Sequence, residues 1–310
     1  MKPIFRSYQK EEDYWRIREF LREVFLLNNC YERSWHVARL DYTRQHILLN
    51  CTKLHLDDVA YIGEVEGKIA AFIVADGDMG EAHFSVHPSF RTPELEEEML
   101  KVAEEHLSEE INGSRSLRLW AVDSDKLRES ILEKHGYSKQ SWAECQWRCK
   151  LDQPIPKAQV APGYTVRSLG DGLELLERCY ASGLGFHEGD IKYAIENRDD
   201  ITWYRNIQRA PLYRRDLDLI AVAPDGSIVA FCTIWFDDVT RSGYFEPVAT
   251  VPKYRRLGLA QAVMTEGLHR LQQMGATTAF VGGFSQAANS LYERVMGPEH
   301  ELYVPWEKKW

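Results

Sequence analysis

Between Glu246 and Ala260 the chain reads Glu-Pro-Val-Ala-Thr-Val-Pro-Lys-Tyr-Arg-Arg-Leu-Gly-Leu-Ala. A β-favouring run passes a proline, turns at Gly258 and enters a stretch with apolar side chains at helical spacing. This junction of strand, glycine loop and helix restricts what the chain can build. The first N–H groups of the helix have no intrahelical partner, and the helix dipole adds positive potential at the same point. An anionic phosphate satisfies both. Gly258 admits close approach of a ligand, Ala260 is too small to block it, and Arg255 or Arg256 adds charge. A glycine before a helix also serves as a plain start or packing device. The inward face of the helix is expected at Leu257, Ala260, Met264, Leu268 and Leu271, with a stop at Gly275.

A degraded copy of this pattern runs from Phe84 to Arg91, and the two halves of the chain echo each other. Arg6-Ser7 opens the first half and Arg167-Ser168 the second, each ahead of a helix-like stretch; in the first it carries Tyr14, Ile17, Phe20, Leu21, Val24 and Phe25. Hairpins with glycine turns follow at 60–74 and 220–234, with Gly67 to Phe72 aligned on Gly226 to Phe231. Val86-His-Pro-Ser-Phe-Arg91 then parallels Thr250-Val-Pro-Lys-Tyr-Arg255, and His135-Gly-Tyr137 parallels Val295-Met-Gly297. The order in each half is helical region, hairpin, strand, helix, strand, helix, strand. This is a mixed α/β arrangement. The proline-rich segment 152–163 is the expected linker, between domains at 1–151 and 164–310.

The net charge of −9 disfavours a broad phosphate-tracking surface, so no nucleic-acid partner is expected. The opening residues lack the apolar run of a signal peptide, and no apolar run is long enough to span a bilayer. No membrane partner is expected, and the compartment implied is reducing and cytoplasmic. The 6 cysteines form no Cys-x-x-Cys pair. Cys145, Trp147 and Cys149 share one face of an apparent strand, where buried thiols explain the pattern; no metal is expected.

The motifs Arg255-Arg-Leu-Gly-Leu-Ala260, preceded by Val251-Pro252, and Ala287-Ala-Asn-Ser-Leu-Tyr-Glu-Arg-Val-Met-Gly297 together resemble the GCN5-related N-acetyltransferase (GNAT) superfamily. They match its Gln/Arg-x-x-Gly-x-Gly/Ala loop and its final Ala-x-x-Leu-Tyr-x-x-x-Gly-Phe helix, over roughly residue 164 to the C-terminus. The resemblance implies tandem GNAT (acyl-CoA N-acyltransferase) folds, each a mixed central sheet flanked by helices. It implies acetyl-CoA in a splayed opening between the central parallel strands, its pyrophosphate on the main-chain groups of Arg256, Gly258 and Ala260, with Val248, Ala249, Thr250, Val251, Arg255, Leu259 and Ser285 as further coenzyme contacts. Arg256 stands where glycine is frequent. Ser285 replaces an asparagine that commonly contacts the pantetheine arm, and Pro298 replaces the final phenylalanine. The first half is a fainter match. Thr92-Pro-Glu-Leu-Glu replaces the glycine pair, Pro93 has no N–H to give, and Glu94, Glu96, Glu97 and Glu98 place like charge beside the would-be phosphate seat. That half is expected to be non-catalytic.

Acetyl transfer to an amine needs a neutral nucleophile, a stabilised oxyanion and a proton for the leaving thiolate. The resemblance makes Tyr292 the candidate acid; a core aromatic is the other reading of that position. Glu246 is the candidate base for the acceptor, or else a charged strand end facing water. His187 and Glu188, in Gly183-Leu-Gly-Phe-His-Glu-Gly189, and Trp235 are candidate acceptor contacts, with a surface loop and core packing as their plainer readings. Trp203 and Tyr204 share the choice facing Trp235. Cys232 reads as a buried strand cysteine. The expected activity is direct transfer to a small-molecule or peptide amine by a monomer or homodimer; a protein that binds acyl-CoA without catalysis is the alternative.

Overall fold

The computed structural model describes residues 3–31 and 33–310. By contact the chain divides into two compact units: residues up to Gln146 together with Glu301–Trp310, and Trp147–His300. The division differs from the expected one at both edges. The sequence break at proline-rich 152–163 is irregular backbone as anticipated, but these residues are held within the second unit. Gln272 Nε2 donates to the carbonyls of Leu151 (3.0 Å) and Gln153 (2.9 Å), and His269 Nε2 meets the Pro156 carbonyl at 2.9 Å. The last strand of the sequence, conversely, belongs to the first unit. Strand pairing decides membership here, and a linker composition does not reveal it.

In the first unit, β1 (Ile4–Ser7), α1 (Glu11–Leu27), α2 (Val37–Tyr42), a π-helical stretch (Thr43–Thr52) and α3 (Leu56–Val59) precede β2 (Ala60–Val65), β3 (Lys68–Val74) and β4 (Glu81–Val86). Then come α4 (Pro93–His106), β5 (Glu109–Ile111), β6 (Ser114–Val122), α5 (Lys126–Lys134) and β7 (Ser138–Lys139); of β8 (Glu144–Lys150), the first three residues belong to this unit and the rest to the second. The second unit holds β9 (Thr165–Ser168), α6 (Leu173–Phe186), α7 (Ile191–Asp199), α8 (Thr202–Gln208), β10 (Asp218–Val222), β11 (Ile228–Asp237) and β12 (Ser242–Thr250). It continues with α9 (Leu259–Gln273), β13 (Thr278–Gly283) and α10 (Gln286–Met296); β14 (His300–Lys309) follows and pairs antiparallel with β6 in the first unit.

Each unit is a mixed sheet: antiparallel through its hairpin, with one parallel pair reached by a crossover helix (β4 with β6, β12 with β13). The repeat extends to single bonds. Arg6 Nη1 donates to its neighbour Ser7 O at 3.2 Å and to Asp13 at 2.9 Å, and Gln9 N–H caps the same carboxylate at 3.0 Å. Arg167 repeats the set with Ser168 O (3.1 Å) and Glu174 (2.8 Å), and Gly170 N–H donates to Glu174 at 2.7 Å. A one-turn 3₁₀ helix follows β4 in the first unit and β12 in the second, at Pro88–Phe90 and Pro252–Tyr254, each opened by its proline.

The cores form as the helical periods demand. All six expected apolar residues of α1 are buried. On α9 the burial of Met264, Leu268 and Leu271 agrees with the sequence, each such side chain contributing roughly 1.5–3 kcal/mol. Leu257, however, lies ahead of the helix and is 45% exposed, so the inward position belongs to Leu259. The helix ends with Gly275 at φ 83°, and Ala276 N–H returns to the Leu271 carbonyl at 2.9 Å.

α6 and α7 touch through glycine: a Cβ added to Gly183 would stand 2.7 Å from Ala194 Cα. Gly183→Ala gains about 1 kcal/mol of helix propensity but forces backbone apart, at a cost of about 1–3 kcal/mol. We expect a net loss of stability, read as a lower urea midpoint with an unchanged m-value.

Candidate active site

The second unit parts its central strands. β12 pairs parallel with β13 only at Ser242, Gly243 and Tyr244, opposite Thr278, Ala279 and Phe280. Beyond Tyr244 the register against β11 also slips: Ile234 faces Phe245, but Cys232 faces Val248, so β12 carries an extra residue there. Glu246 and Pro247 fill this bulge, joined by a cis peptide. Proline has no N–H to give, which suits an interrupted ladder. Trp235 Nε1 donates to the Glu246 carbonyl at 2.6 Å and holds the irregular segment to β11.

The parted strands open a cavity of about 830 Å³. Val248, Ala249 and Thr250 form one wall, the start of α9 from Gly258 to Gln261 another, and Ser285, Leu291 and Tyr292 a third; Gly185, Phe186 and Glu188 close one side. At the head of α9, Gly258 takes the left-handed conformation (φ 75°) and no side chain caps the helix. The first intrahelical bond runs from Ala262 N–H to the Gly258 carbonyl at 2.9 Å. The earlier N–H groups thus point out of the helix towards the cavity end that the dipole makes positive. A pyrophosphate fits such a seat, which the chain supplies with no capping side chain to displace. Arg256 lies at φ 66°, the left-handed region that glycine adopts freely. The substitution there is tolerated at roughly 1–2 kcal/mol of backbone strain.

Among the expected site residues, Val248, Ala249, Thr250, Arg255, Arg256, Gly258, Leu259, Ala260, Ser285 and Tyr292 all line this cavity. Val251 is buried beside it. Ser285 also caps α10, its Oγ accepting from Ala288 N–H at 3.1 Å. Tyr292 is 7% exposed, and its ring lies against Gly283, where an added Cβ would stand 3.0 Å from Cδ2. Glu246 is half-buried at the bulge and is not part of the cavity lining.

Of the three expected acceptor contacts, Glu188 alone lines the cavity. Trp235 has no exposed surface and clamps the bulge, so it is a core residue. His187 stacks on Tyr193 with ring centroids 3.5 Å apart and does not line the cavity. Glu188 does line it, beside Arg255. Its carboxylate accepts two bonds from Arg255 (2.8 and 3.0 Å), which hold it below the usual carboxylate range. Sequence reasoning also passed over Gly185 and Phe186. Helical spacing alone gives no sign that they meet β12, although Gly185 admits the close approach: a Cβ there would stand 3.1 Å from that of Ala249.

The first unit closes the corresponding corner with its own side chains. α4 begins at Pro93 and is capped by Thr92, whose Oγ1 accepts from Leu95 N–H at 3.2 Å. Counted from Arg91 and Arg255, Glu96 stands in the place of Ala260. Glu96 is 1% exposed and accepts from Arg128 Nε and Nη2, both at 3.0 Å, and from Arg91 Nε at 2.6 Å. Arg128 Nη1 reaches on to the Phe84 carbonyl of β4 at 3.3 Å. An internal carboxylate thus takes the charge role at this helix start. Of the four glutamates expected to repel a phosphate, Glu96 alone occupies the corner, and it acts by filling it. β3 and β4 pair in regular register from Ala71–Val86 to Val74–His83, without a bulge.

All 6 cysteines are free thiols. Burial pushes the Cys179 thiol up to about 12 and that of Cys232 well above its usual value, as suits packing residues. Among the described residues no group of three or more His, Cys, Asp or Glu is placed to hold a metal ion. No described helix is long and apolar enough to cross a membrane.

Residues 174–297 match the model of the Acetyltransferase (GNAT) family. The whole chain has the fold of solved GNAT proteins. It superposes on a GCN5-related N-acetyltransferase from Sphaerobacter thermophilus with TM-score 0.67 at 21% identity, covering 99% of this chain and 95% of that one. The tandem GNAT protein from the clavulanic acid biosynthesis pathway gives TM-score 0.65 at 12% identity, with 99% and 98% covered. A GNAT-family acetyltransferase from Colwellia psychrerythraea gives 0.60 at 11% identity, with 98% and 99% covered. No protein of curated function matches the sequence significantly. This chain carries a domain of the acetyltransferase (GNAT) family within a tandem GNAT fold. That family comprises acyltransferases that use acyl-CoA.

Arg128→Met strands a buried carboxylate with Arg91 alone, and we expect a loss of about 3–5 kcal/mol in urea unfolding. Adding Glu96→Leu to that variant should recover most of it. Equal stability of the single variant and the parent would show that the pair does not fill the corner as described.

Proposed function

We propose that the second unit transfers an acetyl group from acetyl-CoA to an amine by direct attack, and that the first unit does not bind the coenzyme. The observation that carries this reading is the uncapped start of α9 facing the gap where β12 leaves β13. The main-chain groups of Arg255 to Ala260 receive the pyrophosphate, and Val248 to Thr250 run beside the pantetheine arm.

In this reading the neutral amine attacks the thioester carbonyl, forming a C–N bond and a tetrahedral oxyanion. A main-chain N–H near Val248 stabilises that oxygen, a donor worth about 3–4 kcal/mol where such holes have been dissected. The C–S bond then breaks, and the departing thiolate takes the proton of Tyr292 Oη. Glu246 collects the proton lost by the amine, directly or through one water. Its half-buried place at the bulge suits that task. The free thiols fit a reducing compartment such as the cytoplasm.

Tyr292→Phe should lower kcat by about 10²–10⁴-fold, the range of general acid catalysis, with coenzyme affinity retained. Glu246→Gln should reduce turnover and flatten the acid limb of the pH–rate profile. Thiol release against an amine panel, paired with coenzyme titration, reads both. Full turnover in both variants would refute the assigned roles. Coenzyme binding without thiol release from any amine would favour the alternative, an acyl-CoA binding protein.

A further inference from the structure

One guanidinium lies fully buried on the sheet face beneath α6 without a hydrogen bond. Arg178 has no exposed surface, and its Nε, Nη1 and Nη2 all lack an acceptor among the described residues. Its neighbours are aromatic: Cζ lies 3.4 Å from the Phe231 ring centroid and 4.9 Å from that of Tyr204. Guanidinium does not deprotonate in proteins, so this positive charge persists in the core. Other buried arginines of the chain are answered by carboxylates, Arg18 by Asp41 and Arg128 by Glu96. The buried carboxylate near Arg178 is already taken. Asp218 accepts from Tyr204 Oη (2.5 Å), Tyr213 Oη (2.8 Å) and Thr233 Oγ1 (3.2 Å).

The fold itself does not require these polar groups. Counted from the acids Asp13 and Glu174, Arg178 takes the place of Ile17, which is fully buried. The cross-strand pair Asp218–Thr233 corresponds to Ala60–Val74, also buried. The unit with the closed corner is apolar at all three positions. The unit with the open cavity is polar at all three.

Arg178 does not line that cavity but lies one aromatic ring behind its wall. The Phe231 ring that carries it lies 6.0 Å from the ring of Phe186, and a Cβ on Gly185 would stand 3.8 Å from its Cε1 and Cζ. Gly185 and Phe186 line the cavity, and Phe186 is 52% exposed. We propose that Arg178 anchors the carboxylate of the amine acceptor, so that the acceptors are amino-acid-like molecules bearing both groups. This rests on the acetyl-transfer reading above. The carboxylate reaches the guanidinium when the Phe186 and Phe231 rings swing aside, and pairs with it through two parallel N–H···O bonds. Asp218 is engaged by two phenols and a hydroxyl, so an acceptor lacking the carboxylate leaves the guanidinium donors unpaired and binds poorly.

The test compares α-amino acids with their own amides in thiol release and in thermal shift, using the full chain saturated with acetyl-CoA. For at least one amino acid the acid should be preferred over its amide by about 100-fold or more in kcat/KM. Arg178→Met should collapse that ratio, and Arg178→Lys should keep part of it. Coenzyme titration of each variant checks that the cavity survives. Retained coenzyme binding with equal use of acids and amides, or a ratio unchanged in Arg178→Met, overturns this proposal alone. Coenzyme binding without turnover of any amine overturns both it and the acetyl-transfer reading.

Discussion

The structure of the second unit depends on where two parallel strands stop pairing. β12 and β13 part after Tyr244 and Phe280, and beyond the bulge at Glu246 and Pro247 the residues Val248 to Thr250 line the gap. Unpaired main chain is costly unless something accepts its hydrogen bonds. The head of α9 presents further unsatisfied N–H groups to the same space, under a positive dipole end. A ligand with an anionic diphosphate and an amide-bearing arm satisfies both sets at once. The cavity is thus a consequence of backbone chemistry before any side chain acts.

The first unit meets the same geometric problem and solves it internally. β4 and β6 also pair in parallel over a short stretch, Glu81–Arg118 and Ala82–Leu119. Here Thr92 caps the helix, Glu96 supplies the anion and Arg128 bridges it to the Phe84 carbonyl. One repeat has turned a ligand's charge into part of its core, and the other has left the place open. The exposed pair of Glu188 with Arg255 shows the intermediate arrangement. Arg91 and Arg255 each hold a carboxylate, but only that of Glu96 is sealed from solvent.

Much of this was legible in the chain. The aligned glycine turns, the Val-Pro and His-Pro junctions and the helical period of α1 prefigured the repeat, because local backbone preference and apolar spacing are written residue by residue. Gly258 marked one wall of the cavity for the same reason, and Tyr292 marked another through the motif resemblance of its helix. Three things could not be read that way. The exchange of membership by β14 and residues 147–151 is a matter of long-range pairing. The inward turn of Trp235 follows from a bulge whose register sequence does not state. Leu257 fell outside the helix because the turn at Arg256 and Gly258 delays its start by two residues. Arg178 was hidden by its position on a helix face that apolar spacing assigns to the core.

The central claim is that one unit alone offers a diphosphate seat. Isothermal titration of the intact chain with acetyl-CoA measures it directly, through the number of molecules bound. The account predicts one coenzyme per chain. Two per chain would show that Glu96 and Arg128 yield their corner to the ligand, and none at millimolar coenzyme would show that the start of α9 is not the seat described.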